Sequence, residues 1–285
     1  MKKNRYIDYE YEELFTDPLE KASEHTIEKL LEEGKIKSVY TTKTIKSGNQ
    51  FEVEIYPSFT RKQIQEQNIK RKSYQAQKNL NDRNARKRVE RLINANFTDG
   101  DLWITLTYDN KHLPGSIEEA LKNMKNYIRR INYRRKKEGL DPAKYIYVTE
   151  FSEEKKIRCH HHLIMDGALS MDSVEKLWTC GKRNSVRRTA TDEQGLTGLA
   201  KYLVKDPKGS KRWCSSTNLK KPVERKAYTV FTARHVKKMV ENRQRVKEFV
   251  EKRYKKMIFL NEEIRYNEIN GRFYIYVRMR ERRIE

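Results

Sequence analysis

The chain has 285 residues, with 63 Lys+Arg against 40 Asp+Glu, a formal charge of +23 at pH 7 and a pI near 9.8. Hydrophobic and charged residues each make up 36%, enough for one or two modest cores under a large polar surface. No stretch approaches the ~20 apolar residues of a membrane span, the N-terminus lacks the apolar run of a secretion signal, and Cys159, Cys180 and Cys214 share no CxxC spacing, so disulfides and cysteine-based zinc sites are not expected. The positive balance points to an anionic polymer or an anionic membrane surface as partner, in a cytoplasmic protein.

Three blocks follow one another: 1–95, 96–232 and 233–285. In the first, "SVYTTKTIKSGNQFEVEIYP" reads as a hairpin, two β-prone runs around Ser47-Gly48-Asn49. Residues 61–95 read as one long polar helix with eleven Lys/Arg against three Asp/Glu. Its basic clusters, Lys70, Arg71, Lys72 and Arg86, Lys87, Arg88, are candidate nucleic-acid contacts; a solvated helix face is the plainer alternative.

The second block carries the strongest order. "DLWITLTYD" (101–109) predicts a strand. Ser116 opens a helix with Glu119 three residues on, a capping box, and Ile117, Ala120, Leu121, Met124, Ile128 and Ile131 recur at helical spacing. "KYIYVTEFS" (144–152) and "IRCHHHLIMDG" (157–167) predict two strands joined by a hairpin turn at 153–156. A helix follows over 171–181, then one over 195–206 ended by Pro207 and Gly209, then a strand in "AYTVFT" (227–232). The order β-α-β-β-α-α-β predicts an α+β fold, a central antiparallel sheet with helices on one face. The third block adds a basic helix, 234–256, and a hairpin turning near Asn270-Gly271.

Strand alternation puts His160 and His162 on one side and His161 on the other. The hairpin brings Glu150 opposite the start of the histidine strand. Two imidazoles and a carboxylate leave open positions on a divalent ion such as Mn²⁺, Mg²⁺, Zn²⁺ or Fe²⁺; a half-exposed strand that happens to carry histidine is the plainer reading. On the helix 195–206, Tyr202 and Lys205 share a flank beside the stripe of Leu196, Leu199, Ala200 and Leu203. A hydroxyl with an ammonium nearby suits a nucleophile-and-cation pair, although a tyrosine at a core edge beside a solvated lysine looks the same in sequence.

The succession of strand 103–108, a glutamate followed by His-x-His, and Tyr-x-x-Lys on a helix resembles the three motifs of HUH-type replication initiators. "WCSSTNLKKP" (213–222) looks like a segment found after the catalytic helix in initiators of small single-stranded DNA phages and related bacterial plasmids. The resemblance covers about 97–232. It implies a sheet of HUH, ferredoxin-like or RRM-like type, with the basic helical and hairpin extensions outside it. It implies Glu150, His160 and His162 as ligands of Mn²⁺ or Mg²⁺, Tyr202 as nucleophile and Lys205 as its lysine. It further implies nicking of single-stranded origin DNA with a 5′-phosphotyrosine and a free 3′-OH, in a bacterial cell. With no Gly-x-x-x-x-Gly-Lys-Ser/Thr pattern in the chain, unwinding falls to a separate helicase, and synthesis to a polymerase. Lys201, Lys208, Lys211 and Arg212 join the expected DNA contacts.

Two departures stand out. His161 occupies a position where the family carries a hydrophobic residue, so the strand's second face is expected to be polar or partly exposed, with His161 a competing ligand if the register differs. Gly198 stands where a two-tyrosine initiator has its second nucleophile, so one tyrosine is expected. A single-tyrosine HUH transposase and a non-catalytic basic nucleic-acid-binding module remain alternatives.

Overall fold

The computed structural model describes residues 8–15, 17–33, 39–60, 74–152, 157–203, 213–228, 230–267 and 272–282. In chain order these form α1 (Tyr11–Leu14), β1 (Asp17–Pro18), α2 (Glu24–Glu33), β2 (Val39–Ser47), β3 (Gln50–Ser58) and α3 (Tyr74–Asn96). Then come β4 (Leu102–Thr107), α4 (Ile117–Lys137), β5 (Tyr145–Glu150), β6 (His160–Met165), α5 (Met171–Lys176), β7 (Ser185–Arg188) and α6 (Thr197–Leu203). The last are β8 (Cys214–Ser215), β9 (Val223–Ala227), α7 (Ala233–Glu241), α8 (Gln244–Arg253), β10 (Met257–Asn267) and β11 (Arg272–Glu281). The chain divides into two compact units, Met1–Asn84 with Pro222–Glu285, and Ala85–Lys221. No described helix is long and apolar enough to cross a membrane.

In the first unit an antiparallel sheet runs β1-β10-β11-β3-β2-β9. Strands from the first and third sequence blocks therefore share one sheet. The expected hairpin is β2–β3, closed at Ser47↔Gln50 around Gly48-Asn49. Gly48 has φ 58, the left-handed geometry that tight two-residue hairpins require. On one face Val53, Ile55, Ile275 and Val277 pack with Val236, Met239, Val240, Val246 and Val250 of α7 and α8. The expected single helix over 234–256 is broken. Asn242 is extended, and its Oδ1 accepts the Gln244 amide at 3.0 Å. That local bond offers the backbone an alternative to the helical ladder. The strand expected at 227–232 lies earlier, as β9. The turn near Asn270-Gly271 lies outside the described residues, but Asn267↔Arg272 closes the hairpin on either side of it.

The second unit is an antiparallel sheet ordered β7-β4-β6-β5-β8. Helices cover both faces rather than one. Ala120, Met124, Tyr127, Ile128 and Ile131 of α4 pack on Leu102, Ile104, Leu106, Leu163 and Met165. Against the opposite face, Val89, Leu92 and Ile93 of α3 and Leu196, Ala200 and Leu203 of α6 pack on Trp103, Ile146, Val148 and Ile164. The sequence carried this sign in "LWITL", whose residues are apolar on both alternating faces. Ser116 caps α4 by accepting the Glu119 amide at 3.2 Å, but Glu119 reaches past it to accept from the Gly115 amide at 2.8 Å. Only half of the capping box forms. The strand β7 went unforeseen, and the turn 153–156 lies outside the described residues.

Candidate metal centre and tyrosine

The pairing of β5 with β6 sets Glu150 directly opposite His160, and Val148 opposite His162. Glu150, His160 and His162 therefore emerge on one face. The Nε2 atoms of His160 and His162 lie 3.5 and 3.8 Å from the two Glu150 carboxylate oxygens. One ligand atom from each residue falls within 4.8 Å of the others. Such a spread fits a single ion with metal–ligand bonds of about 2.0–2.6 Å.

The remaining ring nitrogens fix how the imidazoles are presented. His160 Nδ1 lies 2.9 Å from the Arg158 carbonyl and His162 Nδ1 lies 3.1 Å from Thr105 Oγ1 on β4. These outer partners leave Nε2 facing the carboxylate, the usual arrangement of metal-ligating histidines. Burial first, and the neighbouring His160 second, push the His162 pKa down to about 4. A neutral imidazole keeps the lone pair that a metal needs. The donor set, two neutral nitrogens and a carboxylate with open positions, fits a divalent ion.

His161 points to the other side. It is fully buried, with Nε2 2.8 Å from Tyr108 Oη and Nδ1 2.9 Å from Thr149 Oγ1. The Trp178 ring meets it edge-on at 5.6 Å. Neither ring nitrogen is left for a ligand, so the expectations of a partly exposed face and a competing ligand are both corrected. A hydrogen-bonded histidine fills the position that resemblance assigns to an apolar residue.

Tyr202 lies on the same face as Glu150, His160 and His162. Its side chain is 53% exposed. Its ring packs edge-on against His162 at 5.2 Å and Trp103 at 6.0 Å, and Trp103 stacks on His162 at 5.8 Å. The flank expected for Tyr202 beside the stripe Leu196, Ala200 and Leu203 is thus the flank turned to the histidines. Lys205, Lys208, Lys211 and Arg212, and on the N-terminal side Lys70, Arg71 and Lys72, lie outside the described residues. Lys201, Arg86 and Arg88 are exposed and Lys87 is half-buried. The Arg88 guanidinium lies 5.7 Å from the Trp213 ring.

Two residues that the sequence did not single out grip the tyrosine's segment from both ends. Asn94 Oδ1 accepts the Leu196 amide at 2.8 Å, and its Nδ2 donates to Thr197 Oγ1 at 3.0 Å. Asn96 accepts the Lys220 amide at 2.7 Å and donates to the Lys220 carbonyl at 2.8 Å. The end of α3 thus holds α6 at its first turn and the chain again beyond β8. "Asn-Ala-Asn" closing a helix was the available signal, since asparagines at helix ends commonly bond to backbone.

No curated protein and no solved structure matches the chain. Residues 101–207, from β4 through α6, match the family model for replication-associated proteins of the ORF2 type, and this match supports a replication-initiator family for the stretch that carries Glu150, His160, His162 and Tyr202.

Proposed function

We propose that the protein is a replication initiator of HUH type that nicks single-stranded origin DNA through Tyr202. The observation that carries this reading is the exposed Tyr202 ring lying against His162, on the sheet face that gathers Glu150, His160 and His162. In the reaction the phenolic oxygen of Tyr202 attacks the scissile phosphorus and loses its proton. A new O–P bond forms, the bond from phosphorus to the 3′-oxygen breaks, and that oxygen leaves as a 3′-OH. The product is a 5′-phosphotyrosine, whose bond energy allows a later 3′-OH to rejoin the strand without ATP. Rolling-circle synthesis would start from the free 3′-OH.

A divalent ion, Mn²⁺ or Mg²⁺, held by Glu150, His160 and His162 would supply Lewis acidity at the phosphate. The protein's own work is positioning. Trp103 and His162 flank the Tyr202 ring, Thr105 and the Arg158 carbonyl orient the imidazoles, and Asn94 tethers α6. Lys205 is assigned to orienting the phosphate. Arg86, Lys87, Arg88 and Lys201, with Lys70, Arg71, Lys72, Lys208, Lys211 and Arg212, are assigned to strand phosphates. A separate helicase and polymerase, in a bacterial cytoplasm, complete the system.

The test is a denaturing gel after incubation with Mn²⁺ and single-stranded oligonucleotides tiling the DNA around the gene. A covalent adduct that maps to Tyr202, and that Tyr202→Phe abolishes together with cleavage, is the expected result. The folded state should persist in that variant, because an exposed hydroxyl contributes at most about 1 kcal/mol. An adduct on another tyrosine would reassign the nucleophile. Nicking without any adduct would mean a water nucleophile and an ordinary metallonuclease.

A further inference from the structure

Helix α4 carries eight basic residues between Lys122 and Lys137 and divides them into two groups. Four are engaged within the unit. Arg135 is buried and pairs with Asp166 at 2.6 Å, while Arg130 Nε donates to the Leu177 carbonyl at 2.8 Å. Arg134 pairs with Glu138 at 2.6 Å, and Lys137 Nζ lies 4.7 Å over the Tyr133 ring. The other four, Lys122, Lys125, Arg129 and Lys136, are exposed. None of them has an ion pair among the described residues.

These four are not scattered. With 3.6 residues per turn they fall on an arc of about 80° that also contains Tyr133, along roughly 21 Å of helix. Tyr133 is 63% exposed and contributes nothing to the core that α4 builds. The acidic residues Glu118 and Glu119 are confined to the first turn. This stripe is separate from the candidate site. The inner side of α4 packs on the sheet face of Leu102, Ile104, Leu106, Leu163 and Met165, whereas His162 and Tyr202 belong to the opposite face.

We propose that this outer face of α4 is a second nucleic-acid surface, which holds a single strand without regard to sequence. Lys122, Lys125, Arg129 and Lys136 take phosphates, and a base stacks on Tyr133. Unpaired cations on one line fit a polyanion. An exposed aromatic ring in their midst fits unstacked bases, which a duplex does not offer. The inference goes beyond nicking and does not depend on it.

The test uses the full chain, with fluorescence anisotropy on labelled oligothymidylate of 20 nucleotides and on a 20-base-pair duplex, each across a salt series. Replacing Lys122, Lys125, Arg129 and Lys136 together with Gln keeps helix propensity and removes the charge. Oligothymidylate affinity should fall at least tenfold, and the slope of log affinity against log salt should shrink by about 3, from four contacts at roughly 0.7 each. Tyr133→Ala alone should weaken the same probe by at least about fivefold, the low end of base stacking. Duplex binding should change less in both variants. Unchanged oligothymidylate binding with the charges removed would overturn the proposal. So would a loss confined to the duplex. Lys125→Gln alone, with a slope reduced by about 0.7, keeps the test decisive if the quadruple variant folds poorly.

Discussion

Strand β6 places three identical side chains in a row and gives them two different chemistries. On one side His161 is fully buried, with both ring nitrogens spent on Tyr108 and Thr149. On the other, His160 and His162 spend only Nδ1 on the protein and turn Nε2 towards Glu150. The difference lies in what the neighbouring strands supply. Towards α4 they offer hydroxyls within hydrogen-bond reach and apolar packing, which makes a brace. Towards α6 they offer a carboxylate and an opening, which makes a donor set. Strand alternation assigns the sides, and cross-strand pairing assigns the roles.

The largest effect that breaks this comparison is expected on the metal side. His162→Ala should cost more than the 10–100-fold in Mn²⁺ affinity that loss of an outer partner typically costs, measured by calorimetric titration. Thr105→Val, which removes such an outer partner, should fall within that range. His161→Leu tests the brace. It restores the apolar residue that resemblance assigns to this position, but it leaves the Tyr108 and Thr149 hydroxyls unpaired in the interior. Stability should drop by about 2 kcal/mol in urea titrations while Mn²⁺ affinity stays within a few-fold of the unaltered protein. Lost metal binding with unchanged stability would invert the assignment of the two faces.

The next effect concerns pH. Burial foremost, with the charges of His160 and His162 behind it, lowers the pKa of His161 to about 3. In the unfolded chain the same group titrates near ~6.5, so the unfolded state binds more protons below that pH. The contribution of neutral His161 is therefore complete above about pH 6.5 and is lost as pH falls towards about 3. The slope within that window reaches about 1.4 kcal/mol per pH unit. Urea midpoints in EDTA at pH 7.5 and 5.5 should show the decline, and His161→Leu should make it shallower. An equal pH response in that variant would locate the sensitivity elsewhere.

The smallest expected effect falls on the tether of α6. Asn94→Ala removes two hydrogen bonds, each contributing about 1 kcal/mol. Adduct formation through Tyr202 should slow several-fold at saturating DNA, with Mn²⁺ affinity unchanged. A change in DNA affinity without a change in rate would make Asn94 a binding residue instead. Asn94→Asp keeps the acceptor for the Leu196 amide and should recover part of the rate.

Much of the site was legible in the chain because it rests on local rules. Alternation placed His160 and His162 together, and the short connection from Glu150 to His160 made those strands a hairpin. Helical spacing put Tyr202 beside an apolar stripe. The hairpins β2–β3 and β10–β11 announced themselves through β-prone runs around Asn-Gly or Gly-Asn. The sequence by itself therefore determined which residues share a face, and with them the metal-binding triad and the candidate nucleophile. Tertiary structure alone decided the remainder. Whether His161 faces solvent or a hydroxyl depends on Tyr108, 53 residues away in the chain. Whether helices cover one face or two depends on where α3 returns. Whether Tyr202 meets the histidines depends on Trp103 and on the grip of Asn94 and Asn96, and whether 234–256 is one helix or two depends on a side chain competing with the ladder. Each of these is a contact between distant segments or a choice between near-equal local bonds. The free energy that settles it comes from packing in the assembled sheet, which local pattern does not encode.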